Sequence, residues 1–342
     1  MNHNYKSNDT QRFCYSLRAM LVIGLGVATY VQPARADYQD PLDVPAQAMA
    51  SAPQSLLLDI TKIDDRLVAV GERGHIVYSD DQGSDWRQAD VAVSAQLNAV
   101  HFVDEKEGWA VGEDAAIVHS VDSGKTWQKQ FDARDADFPG PLLDVHFKNA
   151  SEGYAVGVFN KLYRTEDGGN TWTAWNDHAE NPEGWHFFAM AQTDPQTLYI
   201  TSEVGLLFRS MDGGESFTPH QTDYNGSFQG ILAKRAADGN DWLILFGVGG
   251  KLFVSKDGGE TLQSLDSHTR AGLASGTWLD DGSALIVGAN GILLHVAVDL
   301  NAVSRYQLDN GLPLSDVVAL SDDDYVVVGL GGVNALEQLP GR

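Results

Sequence analysis

Five near-copies of one eight-residue segment start at Ser79, Ser120, Thr165, Ser210 and Ser255, 41 or 45 residues apart. A chain that repeats on this scale builds its fold from equivalent units. The copies read Ser79-Asp-Asp-Gln-Gly-Ser-Asp-Trp86, Ser120-Val-Asp-Ser-Gly-Lys-Thr-Trp127, Thr165-Glu-Asp-Gly-Gly-Asn-Thr-Trp172, Ser210-Met-Asp-Gly-Gly-Glu-Ser-Phe217 and Ser255-Lys-Asp-Gly-Gly-Glu-Thr-Leu262. Eight residues ahead of each copy a short apolar run ends at Gly71, Gly112, Gly157, Ser202 or Gly247, and the same run recurs without the segment at Gly288 and Gly329. A second apolar run precedes each of these, at 56–60, 97–102, 142–147, 186–191, 228–233, 273–278 and 315–320. Every unit therefore reads strand, strand, strand, turn, strand, and there are seven units.

Short strands rich in Val, Ile, Phe and Trp, broken by Gly and Asp at a period in the forties, are the pattern of propeller blades. The predicted fold is all-β: a seven-bladed propeller of four-stranded antiparallel blades. The repeated segment is an Asp-box. Its Asp81, Asp122, Asp167, Asp212 and Asp257 are placed to accept backbone N–H bonds inside the turn, and the glycine two residues later supplies the positive φ of the reversal. Trp86, Trp127, Trp172 and Phe217 are placed to close the hairpin from beneath. Five copies around a ring cannot be one active site, and one carboxylate per turn supplies too few oxygens for calcium. These residues read as structural.

Residues 1–36 have the parts of a secretory leader: Lys6, Arg12 and Arg18, an apolar stretch at 19–30, and Ala34-Arg35-Ala36 as a cleavage site. The apolar stretch is too short to span a bilayer comfortably. A signal peptide at 1–36 and one propeller at 37–342 are expected, with the mature protein periplasmic or extracellular and not inserted in the bilayer. The single cysteine, Cys14, leaves with the leader, so no disulfide, cysteine nucleophile or thiolate metal site follows. Maturation takes the formal charge from −24 to −27, because the leader holds Lys6, Arg12, Arg18 and Arg35 against Asp9 alone. Such a surface repels nucleic acid and anionic lipid. The partner is expected to be neutral or locally basic, and the chain is read as a monomer.

The seventh unit ends at Arg342 without a fourth strand. An unpaired edge invites association, so residues 37–54 are expected to supply the closing strand. The sixth unit has Asp299 between its last two strands but no Asp-box.

The segment Leu97-Asn-Ala-Val-His-Phe-Val-Asp-Glu-Lys-Glu-Gly-Trp-Ala-Val-Gly112, echoed by Leu142-Leu-Asp-Val-His-Phe147 and Gly153-Tyr-Ala-Val-Gly157, resembles the repeat of the photosystem II stability/assembly factor family. The resemblance extends over the mature chain. It implies a non-catalytic factor of photosynthesis that binds a newly made membrane subunit and helps assemble its complex, with no cofactor. The expected partner is thus a membrane-associated protein or complex.

Asp-boxes also occur in glycan-binding and glycoside-cleaving propellers, which makes a sialidase-like enzyme the alternative. That chemistry needs three arginines on a carboxylate, a Tyr nucleophile with a Glu, and an Asp acid. Arg164 and Arg209 instead occupy equivalent positions just before Asp-boxes, which points to a structural role. His101 and His146 also share one slot in successive units and read as strand residues, and no HExxH or paired-Cys metal pattern is present.

Asp-box turns lie on one face, which leaves the connections between blades and between second and third strands to the other. Unequal loops on a regular ring carry a protein's individuality. They hold Arg73, Phe159, Trp175, Trp185, His186 and Arg270, with His178, Tyr224 and His268 nearby. Aromatics and Arg are the usual anchors of protein interfaces, so this set is the candidate partner-binding surface.

Overall fold

The computed structural model describes residues 38–136, 139–321 and 323–339. The expected leader and Cys14 lie outside the described residues. Seven antiparallel sheets follow one another along the chain. The first, Leu57–Ile63, Arg66–Gly71, Ile76–Ser79 and Arg87–Gln88, sets the pattern, with strands hydrogen-bonded in sequence order. Helix is confined to three-residue 3-10 turns among the described residues, and none is long or apolar enough to cross a membrane.

The apolar side chains gather between blades. Second strands read as unbroken apolar runs because both of their faces are covered, and successive residues point to opposite neighbours. Val68 and Val70 pack into blade 2, while Leu67 and Ala69 pack into blade 7. Seven buried clusters fill the seven seams around the ring, the one between blades 7 and 1 included.

Each aspartate turn works as a small hydrogen-bonded knot. In blade 2, Ser120 Oγ donates to Asp122 Oδ1 at 2.9 Å and accepts from Gly124 N at 2.9 Å, while Asp122 Oδ1 accepts from Thr126 N at 2.9 Å. Gly124 has φ +80°, and a Cβ there would meet Phe102 and Val68 side chains at 3.2 Å. The same bonds form at Thr165, Ser210 and Ser255. Accepting backbone N–H bonds favours the ionised acid: the bond from Thr171 N leads in holding Asp167 below its ordinary value.

The aromatic that ends the turn reaches past its own hairpin into the seam with the preceding blade. Trp127 is fully buried against Val68 and Val70 of blade 1, meets Phe102 edge-on at 5.7 Å, and donates Nε1–H to Gly124 O at 2.9 Å. Trp86 likewise enters the seam with blade 7. Blade 6 closes without the knot: Leu300, at φ +55°, turns the chain under the Ala297–Ala302 backbone bond and is itself buried in the blade 5–6 seam.

Two blades depart from four strands. Blade 2 gains Asp90–Val91, parallel to Thr126–Phe131, and blade 7 has three strands, Leu314–Ala319, Tyr325–Gly329 and Gly332–Leu336. The closing strand expected from 37–54 is not formed, since no strand precedes Leu57 among the described residues. This segment instead runs outside blades 2 and 1. Pro41 O accepts from Ser94 N, Ala46 N donates to Val91 O, and Asp43 pairs with Lys129 and Arg134. It ends in the turn Ala52–Gln54, with Ala52 buried in the blade 7–1 seam. Its bonds to side chains and scattered backbone groups explain why it has no strand periodicity.

Trp127→Ala is expected to lower unfolding free energy by about 3–5 kcal/mol in urea titrations, and half-buried Trp172→Ala by less. A loss below about 1 kcal/mol for Trp127→Ala would contradict the wedge role.

Candidate functional site

Antiparallel blades put the second-to-third turns and the between-blade connections at one end of the ring and the aspartate turns at the other. Arg73 and Phe159 occupy equivalent tips of second-to-third turns, at φ +57° and +55°, and both project outward, Phe159 with 58% of its surface exposed. His186 begins the inner edge of blade 4 and meets the Phe159 ring edge-on at 4.9 Å. Its Nδ1 lies 3.4 Å from the Phe159 N–H and from a Glu203 oxygen. Trp185 precedes it, half-buried, its backbone clamped at both N–H and C=O by the Asn181 amide at 3.0 and 2.9 Å. Arg270 is exposed on the connection from blade 5 to blade 6. The structure therefore brings Phe159, Trp185 and His186 together at the blade 3–4 junction and spaces Arg73 and Arg270 around the same rim.

Trp175 does not belong to that group. Its indole donates to Gly214 O of the blade 4 aspartate turn at 3.0 Å, stacks on His178 at 3.4 Å, and lies under the Arg164 guanidinium at 4.6 Å. The cause is backbone pairing: Ala179 bridges Phe217, and Phe217 N donates to His178 O, which folds the loop over the aspartate-turn end. Tyr224 packs on Phe228 and Phe253 in the blade 4–5 seam.

Three arginines at the aspartate-turn end are already paired. Arg164 meets Glu166 and Glu215 at 2.8 Å each, Arg209 meets Glu260 at 2.8 Å, and Arg66 binds Asp80. Several of these reach the next blade's turn, as Lys148 does at Gly213 O and Lys234 at Gly282 O. The structural reading of Arg164 and Arg209 fits this geometry. Arg73 and Arg270 have no acidic partner among the described residues. The rim thus carries uncompensated guanidinium charge on an otherwise acidic molecule.

A central channel opens within this rim through a ring of one residue per blade: Leu58, Asn98, Leu143, Phe188, Gln229, Ala274 and Ser315. Behind it stand Asp59, Asp144 and Asp316, in one repeat position where the other blades have Ala99, Ala189, Gly230 and Ser275. Each sits at a register shift of its inner strand and bonds the next blade. Asp59 Oδ2 accepts from Val100 N at 2.6 Å, Asp144 Oδ2 from Met190 N at 2.6 Å, and Asp316 Oδ2 from Ile60 N at 3.0 Å. The last bond ties blade 7 to blade 1.

Burial raises all three acids above their ordinary range. For Asp59 the adjacent Asp316 charge adds to burial, and Asp144 is pushed up to about 7, chiefly by burial. Asp59 and Asp144 keep a partly accessible edge on the channel. Water there moderates the effect without replacing the bulk hydration these groups have lost. Farther along, His101 and His146 face each other at 4.9 Å. Their Nε2–H groups donate to Phe147 O and Gln192 Oε1 at 3.1 and 2.8 Å. Burial first, then His146, lowers His101 to about 3, which keeps it neutral. Among the described residues no group of three or more His, Cys, Asp or Glu is arranged to hold a metal ion.

The sequence reading missed these channel acids, although their signal was present. Leu57-Leu-Asp-Ile, Leu142-Leu-Asp-Val and Leu314-Ser-Asp-Val place an acid in one slot of an apolar strand.

The fold and turns define a repeat-built seven-bladed propeller, and comparison with known proteins sharpens that class. The sequence model of photosynthesis system II assembly factor YCF48 matches residues 42–140. That of sortilin, neurotensin receptor 3, matches residues 160–287. A solved structure of YCF48 bound to D1 peptide aligns at TM-score 0.65 and 20% identity, covering 88% of this chain and 98% of that chain. YCF48 from Cyanidioschyzon merolae aligns at 0.64 and 18%, covering 84% and 97%. Selenomethionine-substituted virginiamycin B lyase from Staphylococcus aureus aligns at 0.68 and 12%, covering 85% and 97%. No curated protein sequence matches the chain. At these identities the solved structures speak for the fold. The family match over the first two blades bears out the resemblance there: the chain is a seven-bladed propeller similar to photosystem II assembly factors.

Asp144→Asn tests the channel electrostatics, because the amide still offers an oxygen to Met190 N. The unfolded acid loses its proton near pH 4 and the folded one at about 7. Across that window the folded state binds the extra proton, so its contribution is present at low pH and lost as pH rises. Urea unfolding between pH 4.5 and 7.5 should therefore show a decline smaller in the variant by roughly 2–3 kcal/mol. Equal declines would contradict the burial assigned to Asp144.

Proposed function

We propose that this chain is an exported, non-catalytic assembly factor whose rim, opposite the aspartate turns, binds a polypeptide segment of a membrane-associated complex. The observation that carries the reading is that Arg73 and Arg270, exposed on the same rim as Phe159, have no acidic partner among the described residues, whereas Arg66, Arg164 and Arg209 at the Asp-box face are paired. An aromatic with free guanidinium groups is the composition of an interface anchor. A YCF48 propeller has been solved with a D1 peptide bound, which makes a polypeptide the natural class of ligand. In a photosynthetic host the partner would be a newly made reaction-centre subunit, and in another host an integral protein of the same envelope. Export rests on the leader read at residues 1–36.

The fold does not by itself separate binding from catalysis, since virginiamycin B lyase shares it. Side chains favour binding. The described residues lining the channel include no arginine and no tyrosine, the groups a sialidase-like reaction would require.

Affinity capture of the tagged mature chain from its own envelope fraction should recover an integral membrane protein. Arg73→Ala, Phe159→Ala and Arg270→Ala combined should lower that recovery at least about tenfold, given the energies of interface anchors, with the melting temperature retained. Undiminished capture by the folded triple variant would refute the assignment.

A further inference from the structure

Blade 7 presents an edge that every other blade covers. In blades 1 to 6 the third strand pairs antiparallel with a fourth, whereas no strand pairs with the outer edge of Gly332–Leu336 among the described residues. Its burial differs accordingly. Ile76–Ser79 and Ile117–Ser120 each bury three of four residues, and Gly332–Leu336 buries Gly332 alone. The N-terminal segment covers only the start of this strand, where a Cβ on Gly332 would come within 2.2 Å of Pro53 O. Val333 packs with Ala52 and Met49 in the blade 7–1 seam, but no backbone hydrogen bond joins the segment to residues 333–336 among the described residues.

Exposed apolar side chains continue from this edge onto the rim. Leu330, on the turn into the strand, is 53% exposed, and Leu312, on the connection entering blade 7, is 37% exposed. Leu312 Cδ1 lies 3.0 Å from where a Cβ on Gly331 would stand, so the two form one patch. A row of unpaired backbone groups flanked by apolar side chains is a template for an added strand.

We infer that blade 7 is completed in trans: an extended segment of the partner polypeptide pairs antiparallel with Gly332–Leu336 as its fourth strand and lays apolar side chains on Leu312 and Leu330. This deepens the proposed polypeptide-binding function and rests on it. Six sibling blades show that a strand is what fits this edge. The chain's charge of −24 selects a neutral or basic partner strand over a second copy of the protein. Pairing through main-chain bonds gives such a site affinity with loose sequence demands, while the two leucines select alternate apolar residues.

Blade 6 supplies the probe and the control. Its fourth strand is Val303–Gln307, and Val303 follows Val296, the end of the third strand, by seven residues; the same spacing from Leu336 falls just beyond Arg342. A chain extended by Val-Ser-Arg-Tyr-Gln after Arg342 should therefore fill the edge in cis. The probe is the capped peptide Ala-Val-Ser-Arg-Tyr-Gln-Leu, the sequence of residues 302–308. At millimolar concentration it should slow amide exchange in 333–336 at least about tenfold in the parent chain and add nothing in the extended chain, whose amides already exchange slowly. The extended chain should also capture less of the envelope partner. Unchanged exchange in the parent with peptide present, or full partner capture by the extended chain, would overturn the inference. If the parent itself captures no partner, the binding function fails while exchange still judges the edge.

Discussion

Packing between blades is the interaction on which the rest of this structure depends. A four-stranded blade has two apolar faces and cannot bury either alone, so stability comes from seams that close a ring. The seven apolar clusters lie in those seams. The aspartate turn serves the same end, because its serine, aspartate and glycine bonds aim Trp127 or Phe217 into the preceding blade. Polar side chains stitch what the apolar ones fill: Lys148 and Tyr154 both reach Gly213 O of the next turn. The channel acids do the same at the centre, each bonding a neighbouring inner strand, which is why carboxyl groups persist in a site that opposes their ionisation.

Local, repeated chemistry was legible in the sequence. The turn pattern gave the blade boundaries because each of its residue types answers a demand of the hairpin, and seven recurrences of the second strand gave the blade number. Features that depend on meeting another part of the chain were harder to read. Trp175 reads as a rim aromatic by its place in a long loop, yet the Ala179 to Phe217 bridge carries it to the opposite end. Residues 37–54 read as a closing strand because blade 7 lacks one, but they hold the ring through Asp43, Ala46 and Ala52 in non-repetitive contacts. Asp59, Asp144 and Asp316 could have been found by aligning the units, since the same slot holds small residues elsewhere.

The ring's division of labour links architecture to function. One end is committed to holding blades together: Arg66, Arg164 and Arg209 pair with carboxylates there, and the Trp175 loop folds onto the next turn. At the other, Arg73, Phe159 and Arg270 stand outward around the channel mouth. Such a face can change its side chains without loosening the seams, so a stable scaffold can present a binding surface.

The most direct test places a photo-crosslinking residue at position 159 on the rim, or at position 211 on the opposite end, where Met211 is 62% exposed. Each chain is then irradiated in its native envelope fraction. The account predicts that position 159 crosslinks to one integral membrane protein and position 211 does not. Crosslinking to that protein from position 211, with none from position 159, would contradict it.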